Sequence, residues 1–584
     1  MKLSLAFALL APLLAACGSD AVQNAGTGAP ADPSTFTHPD GGADGAADAA
    51  SAPDAAEPPP PPPGVFDWRD AIVYFVFVDR FVDAAGGNCS VTGTDAAGNY
   101  MGGDWAGVTQ KIDAGYFNDL GVNTLWVTEP FKNADAVAGH GQGTDTHMYS
   151  AYHGYWPLDP QQLESCFGSQ ADLTALVTAA HQKKLKVLFD YAMVHVHKDS
   201  QVFQQHNDWF WPLAFNNGQC ICDDKGVCPW ATEYQRCWFT DYLPHWNYTN
   251  PAARDYSVGA AMQLVKDTGA DGMRLDAIKH VDDTWLTQLR QETSQYVAQQ
   301  TPPQRFYMVG ETYDFQNRSF IRGFVDPQKR LDGQFDFPLR QLLVEAVLMR
   351  STGNLLTVDD LSYSRNARAG LAGLSDFMDA NDGYYGQDAI MSTFVGNHDL
   401  PRSVHLAEDQ PMWGDSMTDG KDRAWSNAPQ SPGNRAPYER LALAFSVLLT
   451  SRGAPLIYYG DEIGLPGAGD PDNRRPMQWT GLSADQQYLY ATIKALTGAR
   501  AAHPALRRGL RQTINVTADT WLFKMSTTST TPEDVVYVAL NRGDNAANLS
   551  GLPNGAFSEL VTGTTVNGPS LSVPPRQARI LVAK

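Results

Sequence analysis

The stretch Asp271-Gly-Met-Arg-Leu-Asp-Ala-Ile-Lys-His280 sets ionisable side chains into a short apolar run. Read as a strand, it turns Arg274 and Asp276 to one face, because side chains two apart lie on the same side. Lys279 and His280 then fall where the strand gives way to a loop. Read as a helix start, the same residues would be a capping Asp276 followed by solvated Lys279 and His280. The flanking chain chooses between the two.

Before this stretch, Asn250 and Pro251 open a helical pattern that buries Val258, Met262 and Val265 and stops at Gly269. Earlier, Ala71–Val78 and Gly121–Val127 are continuous apolar runs, the mark of strands covered on both faces. Ser169 and Asp172 make a capping box for a helix with Leu173, Leu176, Val177 and Ala180 on one face, and Lys186–Asp190 follows as a strand. Further strands are expected to end at Glu311, near Phe337, at Asn397 and at Tyr459. This alternation predicts an α/β fold, a (β/α)8 TIM barrel with its chemistry at the C-terminal strand ends. The polar residues collect there: Asp190 with His195, Arg274 with Asp276, Glu311, and Asn397-His398-Asp399. A lone aspartate at a strand end is commonly a helix cap. Carboxylates with His and Arg on several different strands are not explained that way. After Leu506 the period changes to two, as in Val535-Val-Tyr-Val-Ala-Leu540, which predicts a C-terminal antiparallel β domain.

The segments Asp190-Tyr-Ala-Met-Val-His195, Gly272–His280, Gly310-Glu-Thr312 and Phe394-Val-Gly-Asn-His-Asp399 stand in a telling order and spacing. By them the chain resembles glycoside hydrolase family 13, the α-amylase family, over roughly residues 66–584. Tyr152-His-Gly-Tyr-Trp156 and Tyr458-Tyr-Gly-Asp-Glu462 match two more family segments. The resemblance implies barrel segments at 66–195 and 247–505. It also implies a small domain B at 196–246 after the third strand and a β-sandwich domain C at 506–584.

Acetal cleavage needs one carboxyl to protonate the leaving oxygen and a second to capture the cation-like sugar. Two groups about 5–5.5 Å apart give retention through a covalent intermediate. The resemblance makes Asp276 the nucleophile, Glu311 the acid/base and Asp399 the third carboxylate, gripping sugar hydroxyls. Arg274 would hold Asp276 ionised. Glu311 must instead keep its proton, with burial and nearby anions raising its pKa to roughly 6–7. His195 and His398 are expected to donate to the sugar being cleaved, with His153, Tyr155, Trp156, Asp190 and Asn397 lining the same site. Lys279 and His280 would line the reducing-end side, a pair typical of family members acting on α-1,4-glucans.

Asp470–Trp479 looks like cyclomaltodextrinases and neopullulanases, which carry a folded domain before the barrel. Met101–Trp105 and Gly115–Gly121 look like cyclodextrin glucanotransferases, which carry extra β domains at the C-terminus. Neither addition is expected here. The resulting expectation is a retaining, endo-acting α-amylase on starch, glycogen or maltodextrins. The alternative is a cyclomaltodextrinase-like, neopullulanase-like or transglycosylating enzyme, and a remoter one is an inactive glucan-binding surface protein.

No cofactor is needed for this chemistry. The family's calcium between domain B and the barrel is expected to be absent, because Val194 and His245 stand where it usually has Asn and Asp ligands, and calcium wants oxygen donors. Its backbone ligand at His280 is then without an ion, and the cysteines near 220–237 are expected to do the stapling. A different calcium site near the first strand is partly matched by Asp83, Asn88, Gly102 and Asp104, with Ala85 and Cys89 as mismatches.

Lys and Arg total 43 against 64 Asp and Glu, a net charge of −21, which excludes phosphate backbones as natural partners. The chain's 14 Trp, 23 Tyr and 25 Phe suit a sugar-binding surface. Met1–Ala16 reads as a secretory signal, and Leu14-Ala-Ala-Cys17 resembles a lipobox with Cys17 acylated; an ordinary cleavage site beside an incidental Cys is the alternative. Residues 17–65 follow as an Ala/Pro/Asp-rich tether ending in the run Pro58–Pro63. The expectation is a monomer that binds α-glucan and is held by lipid at the outer membrane or cell surface of a bacterium. In an exported chain, Cys89, Cys166, Cys220, Cys222, Cys228 and Cys237 favour disulfides, with Cys89–Cys166 and two bridges within 220–237 expected and a zinc site in the crowded four as the alternative.

Overall fold

Eight short parallel strands carry the catalytic body: β1 (Val73–Val76), β2 (Thr124–Val127), β3 (Lys186–Tyr191), β4 (Gly272–Leu275), β5 (Tyr307–Gly310), β6 (Gly333–Gln334), β7 (Ser392–Thr393) and β8 (Ala454–Tyr458). The computed structural model describes residues 62–584 except 88, 136, 140–145, 224–225, 350–367, 409–420 and 529. Cys17, the signal segment and the tether up to residue 61 lie outside the described residues. The ladder runs β6-β5-β4-β3-β2-β1-β8-β7. A parallel bridge between Phe335 and Ser392, with Asp336 N–H donating to the Ser392 carbonyl at 2.9 Å, joins the two edges. The expected barrel is therefore present and closed.

The strands are apolar on both faces because side chains fill the barrel on one side and helices cover the other. Every residue of β1, β2, β4, β5 and β8 is buried. The helices begin and end where local chemistry dictates. Helix α1 (Gln170–Gln182) opens on the reciprocal Ser169–Asp172 capping box. Helix α2 (Pro251–Thr268) starts with the Asn250 side chain accepting from Ala252 N–H and ends at Gly269, whose φ of 75° suits glycine. Helix α3 (Asp283–Val297) is capped by Asp282.

Several strand boundaries differ from the sequence reading. Of Ala71–Val78 only Val73–Val76 pairs, and the chain turns into a short helix at Val78–Phe81. Of Gly121–Val127 only Thr124–Val127 pairs. The strand expected to end near Phe337 lies at β6, because Asp336 caps and Pro338 opens a helix at Phe337–Leu343. The strand expected to end at Asn397 stops at Thr393, leaving Asn397–Asp399 in a loop. Near-continuous hydrophobicity marks burial, not pairing, so it overstates strand length.

The excursion between β3 and α2 carries two of the three disulfides, Cys220–Cys228 and Cys222–Cys237; the third is Cys89–Cys166. The expected pairing is thus observed, and all four cysteines of the alternative zinc cluster are used in bridges. C-terminal to the barrel, β9 (Leu510–Val516), β10 (Thr520–Thr527), β11 (Asp534–Asn541), β12 (Ala547–Ser550), β13 (Ala556–Glu559), β14 (Thr565–Asn567), β15 (Ser570–Val573) and β16 (Gln577–Ala583) form an antiparallel domain. Its main sheet has the order β9-β10-β11-β16-β13-β14, with β12 and β15 paired apart from it. Among the described residues, no helix is long and apolar enough to cross a membrane.

The closing seam is narrow. A Cβ on Gly333 would sit 2.0 Å from the Ile390 carbonyl oxygen, against backbone that cannot yield. Gly333→Ala is expected to cost about 1–3 kcal/mol or more of stability, read as a lower denaturant midpoint with an unchanged slope. An unchanged midpoint would mean that the seam is looser than its geometry.

Candidate active site

The barrel register places Arg274 beside Asp190 on one side and Val309 on the other, two residues short of Glu311. Arg274 is fully buried, and its guanidinium is shared by three carboxyls from three strand ends. Nη1 donates to Asp190 Oδ1 at 2.9 Å and to Asp276 Oδ1 at 2.6 Å, and Nη2 lies 2.9 Å from Glu311 Oε2. The two-residue spacing of Arg274 and Asp276 therefore brings them into contact. The strand itself stops at Leu275, and Asp276 belongs to the turn that follows.

That turn is tightly tied. Asp276 N–H donates to Tyr191 O (3.1 Å), and Ile278 N–H to the carbonyl of Glu311 (2.7 Å). Between them Ala277 adopts φ 43°, ψ 49°. A left-handed alanine costs about 1–2 kcal/mol, and the surrounding bonds hold it there.

Burial, more than any other cause, raises the Glu311 pKa to about 8. Arg274 opposes the rise, and Asp276, Asp399 and Asp190 add to it. Glu311 Oε1 is buried with no hydrogen-bond partner among the described residues. Asp190 is raised less, to about 6, by burial against Arg274. It has three donors: Arg274, its neighbour Tyr191 N–H at 3.0 Å and the Tyr155 hydroxyl at 2.6 Å. A buried carboxyl with many donors stays ionised more easily than one with few.

The other expected residues gather around this centre. The Tyr155 hydroxyl lies 2.8 Å from His398 Nε2, and the two rings stack at 5.4 Å. Tyr155 also stacks on His153, whose Nδ1 accepts from Tyr155 N–H, while Trp156 packs edge-on to His153 at 4.8 Å. Asn397 is buried, and its Oδ1 accepts from Asp399 N–H, so it shapes the loop that presents Asp399. Asp399 is about a third exposed and lies 3.2 Å from Arg474 Nη2. Burial pushes the pKa values of His195 and His398 down, keeping both rings neutral. His195 Nε2 faces the Tyr155 carbonyl at 2.9 Å, which can only accept. The proton of the neutral ring is thus spent there, and Nδ1 is left as an acceptor rather than the donor expected from the sequence.

His280 also departs from expectation. Its ring is buried, with Nδ1 2.5 Å from the Tyr234 carbonyl and edge contacts to Phe239 and Trp230. It packs under the excursion. Lys279 is half-buried with Nζ 5.4 Å from the Trp230 ring centre. Sequence reasoning missed Arg474 and Asp470, which pair at 3.2 Å while Asp470 accepts from the Tyr152 hydroxyl. Their i, i+4 spacing within Asp470–Trp479 was the available signal. It also missed Glu129, fully buried beside Asp190 and accepting from Ala192 N–H.

With this geometry in hand, the relatives are informative. The model of the α-amylase catalytic domain matches residues 75–509. The chain belongs to the α-amylase family. It is thus an enzyme of a family of glycoside hydrolases and transglycosylases. A cyclomaltodextrin glucanotransferase of Paenibacillus macerans is 28% identical over 84% of this chain and 63% of its own length. One from Niallia circulans is 29% identical over 86% of this chain and 64% of its own. The chain thus spans under two thirds of those relatives. The α-amylase of Geobacillus thermoleovorans, solved with acarbose, superposes with a TM-score of 0.67 at 25% identity, covering 88% of this chain and 98% of that one.

The family's interdomain calcium does not suit the residues present. Val194 is buried and apolar, and its carbonyl already accepts from Trp246 N–H at 3.0 Å. His245 offers nitrogens, and both face carbonyl oxygens: Nδ1 that of Cys237 at 2.7 Å and Nε2 that of His280 at 3.0 Å. Burial takes its pKa down to about 4, against these two carbonyls, which favour the doubly protonated ring. At the second predicted ion site Asn88 lies outside the described residues. Asp104 is engaged by the N–H groups of Gly107, Ala84 and Ala85, and Asp83 by that of Gly86 beside Gly102.

The raised pKa of Glu311 has a kinetic consequence. As pH rises through about 8 its proton is lost, so kcat/KM should fall on the alkaline side with that midpoint. Arg274→Lys, which removes the planar fork between the carboxyls, should lower activity and move the limb upward. A limb that stays in place would mean that Arg274 does not pull on Glu311.

Proposed function

We propose that the chain is a retaining, endo-acting α-amylase that hydrolyses α-1,4-glucosidic bonds in starch, glycogen or maltodextrins. The observation that carries this reading is one buried guanidinium touching both Asp276 and Glu311. Carboxyls close enough to share it suit the roughly 5–5.5 Å separation of retaining enzymes. Glu311, kept protonated, donates to the leaving glycosidic oxygen while Asp276 attacks the anomeric carbon and forms a glycosyl ester. Glu311, now a carboxylate, takes a proton from the incoming water, which opens the ester with overall retention. Asp399, propped by Arg474, grips sugar hydroxyls, and Tyr155 offers the sugar a ring face. The carboxyl chemistry requires no metal.

A second reading, transfer to a sugar instead of water, is favoured by the glucanotransferase relatives, since both outcomes pass through the same ester. Product analysis on amylose, maltoheptaose and cyclodextrin separates them. The expected result is α-anomeric maltooligosaccharides from internal cuts, with slow opening of cyclodextrin. Dominant cyclic or elongated products would favour transfer, and no reducing sugar would favour a binding protein. Glu311→Gln should lose about 10²–10⁴-fold in kcat, and Asp276→Asn should abolish turnover; full activity in Asp276→Asn would refute the mechanism.

The proposal includes export and anchoring through Cys17, with the tether as spacer, on the strength of the leader and lipobox pattern. Cys17→Ser should move the enzyme from the membrane fraction to the soluble one and abolish labelling by a fatty-acid probe. Retention in the membrane fraction would argue against a lipid anchor.

A further inference from the structure

Beside the seam that closes the barrel lies a cavity of about 100 Å³. It is lined by β7, by the segment leading into β8, by the end of the helix Leu371–Asn381 and by the short helix Ala505–Arg508. None of Asp276, Glu311 and Asp399 lines it. Its charged wall sets four arginines, Arg69, Arg452, Arg507 and Arg508, against Asp336 and Asp382, in a chain whose net charge is −21. We propose that this cavity binds one small carboxylate, its anionic end at the arginines and its short alkyl chain against an apolar wall. The proposal does not depend on the reaction assigned to Asp276 and Glu311.

Two polar groups of the lining have no hydrogen-bond partner among the described residues. They are the hydroxyl of Thr393, a residue only 4% exposed, and the buried Nε of Arg507. Folded chains rarely leave such atoms unpaired, because a buried polar group stripped of water and given nothing in return is destabilising. Arg507 is also the most loosely paired of the four cations. Its ion pair with Asp70 Oδ1 is 3.4 Å long, and Asp70 is gripped more closely by Arg508. Arg69 and Arg508 share Asp67, and Arg452 is anchored on the Arg508 carbonyl at 3.0 Å. Burial lowers the pKa of Arg507 against the pull of Asp70, as befits a cation taken from water without a close counter-ion. The nearby carboxyls are engaged elsewhere. Arg511 holds Asp382 at 2.7 Å, Leu339 N–H, the Asn381 amide and the Tyr385 hydroxyl hold Asp336, and Ala505 N–H and His503 hold Asp534.

Size and the remaining wall set the class of ligand. Leu339, Met378, Ile390 and Met391 make one side of the cavity apolar. A cavity of about 150 Å³ holds benzene, so this smaller one excludes a sugar ring with its hydroxyls and suits a carboxylate of about two to four carbons. Water alone would satisfy the Thr393 hydroxyl and leave Arg507 short of an anion. Inorganic phosphate would supply the charge and leave the apolar wall bare. The cavity exists only when β7, the lead into β8 and the two helices are packed together, so a ligand there stabilises the folded chain by mass action.

The test follows thermal unfolding of the full chain in rising sodium propionate, with sodium chloride and sodium phosphate at equal ionic strength as the other arms. Propionate is expected to raise the melting temperature along a saturating curve that chloride does not reproduce and phosphate does not match. Arg507→Met keeps the stem and removes the charge, and it should abolish the propionate response. Thr393→Val keeps the shape and removes the hydroxyl, and it should weaken propionate affinity about tenfold. Should Arg507→Met fail to fold, the wild-type curves and Thr393→Val still decide the matter. The proposal is overturned if propionate does no more than chloride, if phosphate stabilises as much as propionate, or if the variants respond as the wild type does. A crystal structure grown in propionate with water alone in the cavity would overturn it as well. These melting curves need no substrate, so an absence of α-glucan hydrolysis would strike the proposed function and leave this test standing.

Discussion

One positive charge serves three carboxyls. Arg274 is buried with Asp190, Asp276 and Glu311 around a single guanidinium, and its charge cannot balance three anions in a dry site. Burial therefore favours a proton in the cluster. The hydrogen bonds decide where it sits: Asp190 has donors from Arg274, Tyr191 and Tyr155, whereas Glu311 has an oxygen with no partner among the described residues. The proton stays on Glu311, whose pKa burial raises to about 8. Ion clusters of this kind add little to stability, because desolvation offsets their attraction. The value of the cluster lies in setting two carboxyls to different protonation states at one pH.

The barrel makes that cluster possible. Sequential parallel pairing of β3, β4 and β5 places Asp190, Arg274 and the approach to Glu311 side by side across two ladder steps. Closure through Phe335 and Ser392 then brings the loop of His398 and Asp399 round to the same rim, where the Tyr155 hydroxyl bridges Asp190 and His398. The eighth strand contributes from the far side through Arg474, which supports Asp399. Residues spread over more than two hundred positions thus meet because strand ends in a closed barrel share one rim.

Much of this was legible in the sequence, and particular residues show why. Apolar runs marked the strands because both faces of a barrel strand are dry, and Asn250, Ser169 and Gly269 marked helix ends because caps are local chemistry. The motifs around Asp276, Glu311 and Asp399 carried the family because the chemistry admits few substitutes. Strand ends at Phe337 and Asn397 were misplaced because burial was read as pairing. The hydrogen bonds of His195 and His280 were not legible, because they depend on which carbonyl stands beside each imidazole. Those carbonyls, of Tyr155 and Tyr234, lie 40 and 46 residues away along the chain.

By itself the sequence determined the repeat of strand and helix, the set of carboxyls at strand ends and the cysteine framework. Each of these follows from residue type and local spacing. Only the tertiary structure decided that burial raises the pKa of Glu311, that His280 turns inward, and that the His245 ring faces the carbonyls of Cys237 and His280. Those outcomes depend on desolvation and on contacts between segments far apart in the chain. Neither is encoded in any one segment, because both arise only when the barrel closes and water is driven out.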